Sequence, residues 1–276
     1  MPFLKDYPII HHQEATVNIK AIFLDLDNTL LRSDKSVHNY TISVLGRCRR
    51  KGIKVAFATA RSHHTAAAVN DFMAWDGGVY FSGSAVQAEG REIAAARMDA
   101  QEASRIAREI AARWPGIQVG VEVDGHFHAN YAAPEIITCG KLVASDFSVL
   151  PTDADNLVIG TWDWAGPPVP EAAWAAIKAM LPDDWWMHRE RNGMGIIASR
   201  AATKSAGVVA LMSHWGIPLL YAAAFGDDMS DISMLESVGW GGAVENALPE
   251  VKAVADFVCG SNDADGVAQW LEENLL

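Results

Sequence analysis

Short apolar runs alternate with stretches of helical spacing along much of the chain. Ala21 to Leu24 is an apolar run that stops at carboxylates, and Val55 to Ala58 is another that stops at Thr59. His38 to Lys51, between them, carries helical periodicity, so the three segments read as a βαβ unit. The pattern returns near the C-terminus, where Leu219 to Phe225 ends at Gly226-Asp227-Asp228. A short helix follows, then a strand over Trp240 to Val244, another helix, a strand at Phe257 to Val258 and a last helix from Asp265. Such alternation predicts a parallel sheet covered by helices. Sheets of that kind bind ligands beyond the carboxyl ends of their strands, and three of these runs deliver Asp25, Thr59 and Asp227 to that end.

The middle of the chain has a different rhythm. Gln118 to Val123 and His126 to Tyr131 flank Asp124-Gly125, a strong hairpin signal. Leu157 to Thr161 and Gly195 to Ala198 read as further strands, while Asp99 to Arg113 and Pro170 to Met180 have helical spacing. Ala66 to Ala68 and Ala94 to Ala96 read as alanine-rich helix material. The expected organisation is an amino-terminal extension over 1–17, a discontinuous α/β core over 18–83 and 196–276, and an α+β insert over 84–195. The core is expected to be a Rossmann-like, doubly wound parallel sheet.

Composition narrows the function. Half of the 276 residues are apolar and 20% are charged, as in ordinary globular proteins. A net charge of −12 opposes nonspecific binding to nucleic acid or anionic membranes and favours a small substrate. If that substrate carries phosphate, the site needs a local positive centre, which a divalent cation and a lysine provide. Cys48, Cys139 and Cys259 are odd in number and far apart, so neither a disulfide framework nor a zinc site is expected, and a reducing cytoplasm fits. Neither an export signal nor a membrane-length apolar run is read.

Asp25-Leu26-Asp27-Asn28-Thr29 follows directly on the first apolar run. Carboxylates two apart face opposite ways on a strand, so the chain must leave the strand here if both serve one site. Phosphoryl transfer uses such a pair: Asp25 as nucleophile, Asp27 as the acid that protonates the leaving oxygen and then the base that deprotonates water. That division needs Asp25 ionised beside a cation and Asp27 in a drier place where it holds a proton.

At these residues the chain resembles the haloacid dehalogenase superfamily, and within it the Cof-type sugar-phosphatase branch. Its D-x-D-x-T motif stands at Asp25 to Thr29, its strand-terminal Thr at Thr59, its helix-opening lysine at Lys204, and its G-D-x-x-x-D motif at Gly226 to Asp231. The resemblance implies that Mg²⁺ is held by the Asp25 carboxylate, the Asp27 carbonyl and Asp227, with Asp228 and Asp231 behind them. It implies that Thr59 and Lys204 contact the phosphoryl group, with Asn28, Ala60, Arg61 and Asn246 beside them, and that the insert is a cap carrying Trp162, Trp164, Trp185 and Trp186. The substrate implied is a small phosphorylated metabolite, and the protein a monomer or small homo-oligomer. Gly83-Ser84-Ala85 stands where many relatives have Asn-Gly, and Glu245 where they have Gly.

Each residue alone has a plainer reading. Thr59 is also a fair helix cap, Lys204 a surface lysine, and Asp227, Asp228 and Asp231 an acidic first turn set against a helix dipole. Arg61 serves either substrate or a carboxylate of the cap. The histidines lack a third ligand at metal spacing, and dinucleotide and P-loop motifs are absent. A phosphomutase, and a module that merely accepts phosphate, remain the rival readings.

Overall fold

The computed structural model describes residues 18–63, 65–131, 141–160, 169–189 and 193–276. The extension over 1–17, together with Cys139, Trp162 and Trp164, lies outside the described residues.

The chain enters through β1 (Ala21–Leu24), α1 (Asn39–Arg50), β2 (Lys54–Ala58), the single turn α2 (Ala67–Asn70) and β3 (Gly77–Tyr80). A hairpin of β4 (Ala85–Ala88) and β5 (Arg91–Ala95) follows. The middle contains α3 (Ala100–Arg113), β6 (Val119–Val123), β7 (His126–Ala129), β8 (Lys141–Ala144), β9 (Asn156–Ile159), α4 (Glu171–Met180), β10 (Trp185–Arg189) and β11 (Gly195–Ser199). The last part runs α5 (Lys204–Trp215), β12 (Ala222–Gly226), α6 (Ile232–Ser237), β13 (Trp240–Val244), α7 (Pro249–Val254), β14 (Phe257–Cys259) and α8 (Gly266–Leu275).

Two sheets result. The larger has the order β14-β13-β12-β1-β2-β3-β4-β5, parallel from β14 to β3. Every residue of β1 and β12 is buried, as expected of strands covered on both faces. Helices α1 and α8 pack together on the sheet, as do α5 and α6, giving the doubly wound, Rossmann-like α/β fold. Phe257 stacks on Trp270 with centroids 4.3 Å apart, closing the β14 edge against α8. Strand order reverses between β1 and β12, and that switch point releases Asp25 and Asp227 side by side.

The smaller sheet, β10-β11-β9-β6-β7-β8, is antiparallel except for β7 and β8. Val119, Val121, Val123, Leu157 and Ile197 on one face pack with Ile106 and Ile110 of α3 and Ile177 of α4. The opposite face carries a separate cluster of Phe127, Ala129, Val158 and Met194, with no helical residue among its described members. Asp124 and Gly125 of the β6–β7 turn have φ of 48° and 73°, the left-handed pair that the Asp-Gly sequence predicts.

Sheet membership departs from the insert boundaries expected at 84 and 195. β4 pairs antiparallel with β3, and Ala85, Val86 and Ala88 join the larger core, so the larger sheet extends to Ala95. β11 runs on to Ser199 inside the smaller sheet. The helical reading of Ala94 to Ala96 is corrected: Ala94 and Ala95 are in β5, where pairing with β4 across the Glu89-Gly90 turn overrides alanine's helix preference. Leu219–Tyr221 is a short helical turn after Pro218, and the strand begins at Ala222.

Candidate active site

β1 ends at Leu24, and Asp25 follows with its N–H bonded to the Phe225 carbonyl at 3.0 Å. The chain then turns: the Leu26 carbonyl accepts from Leu31 N at 2.7 Å, and Asn28 takes the left-handed region at φ 61°. The chain thus leaves the strand directly after Asp25, the turn that one shared site for the Asp25 and Asp27 carboxylates requires. Carbonyls of Asp25 and Leu26 are occupied by backbone donors, whereas that of Asp27 receives none among the described residues.

Lys204 is the first residue of α5, whose Thr203 hydroxyl caps the helix by accepting from Ala206 N at 3.0 Å. Its side chain is 3% exposed, with Nζ 2.7 Å from Asp25 Oδ1 and 2.6 Å from Asp231 Oδ1. Burial alone would strip its proton, but the two carboxylates outweigh that and hold the ammonium charged. The other oxygen of Asp231 accepts from the backbone N–H of Asp227 and of Asp228, both at 3.0 Å. Asp231 is therefore saturated by fixed donors. Gly226 is required beside it, because a Cβ there would run into the Asp231 side chain.

Asp227 accepts from the Thr29 hydroxyl at 3.0 Å. Burial and the Asp231 charge push its carboxyl up to about 6, against the pull of Thr29, Asp25 and Lys204. Burial also pushes Asp25 well above the ordinary carboxylate range; Lys204 opposes this, while Asp231 and Asp227 add to it. Oxygens of Asp25, Asp227 and Asp231 all lie within 4.8 Å of one another. Asp25 and Asp227, whose proton affinity is raised, form with the neighbouring Asp231 an oxygen-only donor set that fits a hard divalent cation. Of the expected set, Asp25, Asp227 and Asp231 are in this cluster, whereas Asp228 is exposed and caps the turn after β12.

Asp27 departs from expectation. Its carboxylate is forked by Arg61, with Nε to Oδ2 and Nη2 to Oδ1 both at 2.7 Å, and Lys35 Nζ is 2.9 Å from Oδ1. Burial pushes its acidity one way, but these hydrogen bonds and charges prevail and hold the carboxyl below its ordinary value. The drier, proton-holding carboxyl expected here is thus corrected: Asp27 stands on the rim among cations, and the buried Asp25 is the carboxyl whose proton affinity rises. Arg61 pairs with Asp27, and with the Thr65 carbonyl at 3.0 Å.

Thr59 is 1% exposed, and its hydroxyl accepts from Arg61 N at 3.1 Å. Ala60 is exposed at the same strand end. Phe81, Ser82 and Gly83 all have positive φ, in a loop whose Ser82 N–H donates to the Thr59 carbonyl at 2.9 Å. Gly83, at φ 121°, abuts the Thr203 backbone so closely that a Cβ would collide with it, which ties β3 to the residue before Lys204. Asn246 stitches two loops: its Nδ2 donates to the Asn28 carbonyl at 2.7 Å, and its Oδ1 accepts from Asn262 N at 3.0 Å. Sequence reasoning missed the contacts of Thr29 and Lys35. Thr29 was visible as the last letter of its motif, whereas nothing marks Lys35 locally.

A sheet switch point with this carboxylate and lysine constellation defines a phosphoryl-handling hydrolase. The model of the haloacid dehalogenase-like hydrolases matches residues 22–130 and 170–271, and the chain belongs to that family, in its Cof-type group. It is 25% identical over 267 residues to the 5-amino-6-(5-phospho-D-ribitylamino)uracil phosphatase YitU of Bacillus subtilis, covering 91% of this chain and 96% of the relative. It is 23% identical over 309 residues to phosphatase YwpJ of the same organism, covering 93% and 100%. A solved phosphatase of the haloalkanoate superfamily from Bacteroides thetaiotaomicron superposes with a TM-score of 0.76 at 24% identity, covering 92% and 94%. The protein is a phosphatase, and its substrates are small phosphorylated compounds. Among the described residues no helix is long and apolar enough to cross a membrane.

Proposed function

We propose that the protein hydrolyses a sugar phosphate or similar phosphomonoester with Mg²⁺, through an aspartyl-phosphate on Asp25. The observation that carries this reading is the buried Lys204 ammonium, 2.7 Å from Asp25 and 2.6 Å from Asp231, beside a strand-end Asp227. Such a lysine holds Asp25 in one rotamer and supplies fixed positive charge where phosphoryl charge develops. Mg²⁺ held by Asp25, the Asp27 carbonyl and Asp227 would add charge neutralisation at the phosphoryl oxygens.

Asp25 attacks phosphorus as the bond to the leaving oxygen breaks, and Asp27 gives that oxygen a proton. Asp27 then takes a proton from the water that attacks the phospho-enzyme, releasing phosphate and restoring Asp25. The acid step requires Asp27 to be released from the Arg61 fork, and a phosphoryl group is the anion to which that guanidinium would turn. Thr59, with its hydroxyl at the strand end, donates to the same group. Asn28 and Asn246 hold the loop around it. Residues of the smaller sheet and its helices act as a cap over these strand ends. The phosphorylated ribityl chain in the name of one relative's substrate supports a polyol leaving group.

The test is phosphate release from a panel of phosphorylated metabolites and p-nitrophenyl phosphate, with Mg²⁺ or with EDTA. Multiple turnovers that EDTA abolishes are expected. Asp25→Asn should lose at least about a thousandfold in rate with an unchanged circular dichroism spectrum. Wild-type rates in that variant remove the nucleophile assignment, and a phosphoryl group returned to a sugar in place of water marks a mutase.

A further inference from the structure

The face of the smaller sheet turned away from α3 and α4 holds a row of residues in register. Trp186 faces Ala198 across β10 and β11. Asn156 faces Glu122 across β9 and β6, and Glu122 faces Phe127 across β7. Their neighbours Trp185, Ile197, Leu157 and Val121 belong to the helix-covered core, so period-2 alternation puts the row on the face turned away from those helices.

Two polar groups in that row are unfinished. Asn156 is 8% exposed; its Nδ2 donates to Glu122 Oε2 at 2.8 Å, but its Oδ1 has no partner among the described residues. Glu122 takes no second hydrogen bond and no cation among the described residues, and burial pushes its carboxyl up to about 7. An unfilled buried acceptor costs about 1–3 kcal/mol, so a structure that keeps one invites a donor from outside. Trp186 is fixed by its Nε1 donating to the Ser199 carbonyl at 3.0 Å, and Ala198, with its small side chain, separates it from Asn156.

The row is anchored to the active-site loops. Asp155, directly before Asn156, accepts at its carbonyl from Ser84 Oγ at 2.7 Å, and its carboxylate receives Arg97 Nε at 2.8 Å. Ser84 closes the loop whose Phe81 and Ser82 N–H groups bond the carbonyls of Arg61 and Thr59.

Resting on the phosphatase reading above, we propose that Glu122 and Asn156 are specificity-determining residues that bind the leaving group of the substrate. The group they fit is neutral and rich in hydroxyl donors, with an apolar face to lie on Trp186, as in a sugar or polyol. Glu122 turns away leaving groups that carry a second phosphate or a carboxylate, because no cation accompanies it among the described residues.

The test compares wild type, Glu122→Gln and Asn156→Ala on ribitol 5-phosphate, glucose 6-phosphate, fructose 1,6-bisphosphate and p-nitrophenyl phosphate. Glu122→Gln keeps the acceptor for Asn156 and so preserves the fold, which thermal melting checks. Both variants should lose about tenfold or more in kcat/KM on the better polyol monophosphate, mainly through KM, and stay within about twofold on p-nitrophenyl phosphate. In Glu122→Gln the bisphosphate should gain several-fold relative to the monophosphate. Equal losses on all substrates, or no loss on the polyol phosphates, overturn the proposal. So does a wild type that turns over p-nitrophenyl phosphate but neither polyol phosphate, an outcome that leaves the phosphatase reading standing. No release from any of the four removes that reading, and this inference with it.

Discussion

The carboxyl end of the larger sheet and the face of the smaller one turned away from α3 and α4 both carry polar groups, yet those groups are finished to different degrees. At the switch point, Lys204, Asp231 and the backbone amides of Asp227 and Asp228 satisfy one another with no slack. On the face away from the helices, Asn156 and Glu122 share one hydrogen bond and leave acceptor capacity unused among the described residues. The contrast separates two tasks: groups that act on phosphorus must be fixed before substrate arrives, whereas groups that read the leaving group are completed by it.

The sharpest way to break this contrast is Lys204→Met. It leaves Asp25 and Asp231 buried without their cation, and about 3–5 kcal/mol of stability should disappear in urea unfolding, along with turnover. A loss below about 1 kcal/mol would mean that the lysine is not the keystone of the site. Next in size is Gly83→Ala, which places a Cβ against the Thr203 backbone at a φ of 121°. It should cost about 2 kcal/mol and slow phosphate release, because the helix that starts with Lys204 has to shift. Unchanged melting and activity together would exclude that coupling.

The smallest effect sharpens the other side. Glu122 has an ordinary value near 4.5 and is pushed up to about 7 in the fold. Ionisation therefore opposes folding, and stability from this group falls as pH rises from about 4.5 to about 7, then levels off. Glu122→Gln removes that dependence. Its melting temperature minus that of wild type should be larger at pH 8 than at pH 5, and an equal difference at both would place Glu122 in ordinary solvent.

Much of this was legible from residue order. Parallel strands buried on both faces leave unbroken apolar runs, and β1, β2, β12 and β13 could be found that way, with Asp25, Thr59 and Asp227 at their ends. Lys204 was readable only through the resemblance to the haloacid dehalogenase motifs, since by itself it reads as a surface lysine. The β4–β5 hairpin was not, since Ala85–Ala88 and Arg91–Ala95 mix alanine, Gln and Glu in no period and become strands by pairing with β3. Nor was the Arg61 and Lys35 clamp on Asp27, because acidity depends on which charges fold together across 34 and 8 positions. The same holds for the row of Trp186, Asn156 and Glu122: alternation gives each residue a face, but only sheet order aligns them. Of the four tryptophans assigned to the insert, Trp185 is core and Trp186 lies on the opposite face.

Four residues separate the last position of β11, Ser199, from Lys204, and three of them are already pinned: Arg200 N to the Asp184 carbonyl at 2.7 Å, Ala201 N to Ser199 Oγ at 3.3 Å and Ala202 N to the Ser199 carbonyl at 3.0 Å. A tether this taut converts any tilt of the smaller sheet into a displacement of the buried ammonium. Insertions or deletions in this joint should therefore cost more activity than the same change at the Glu89-Gly90 tip.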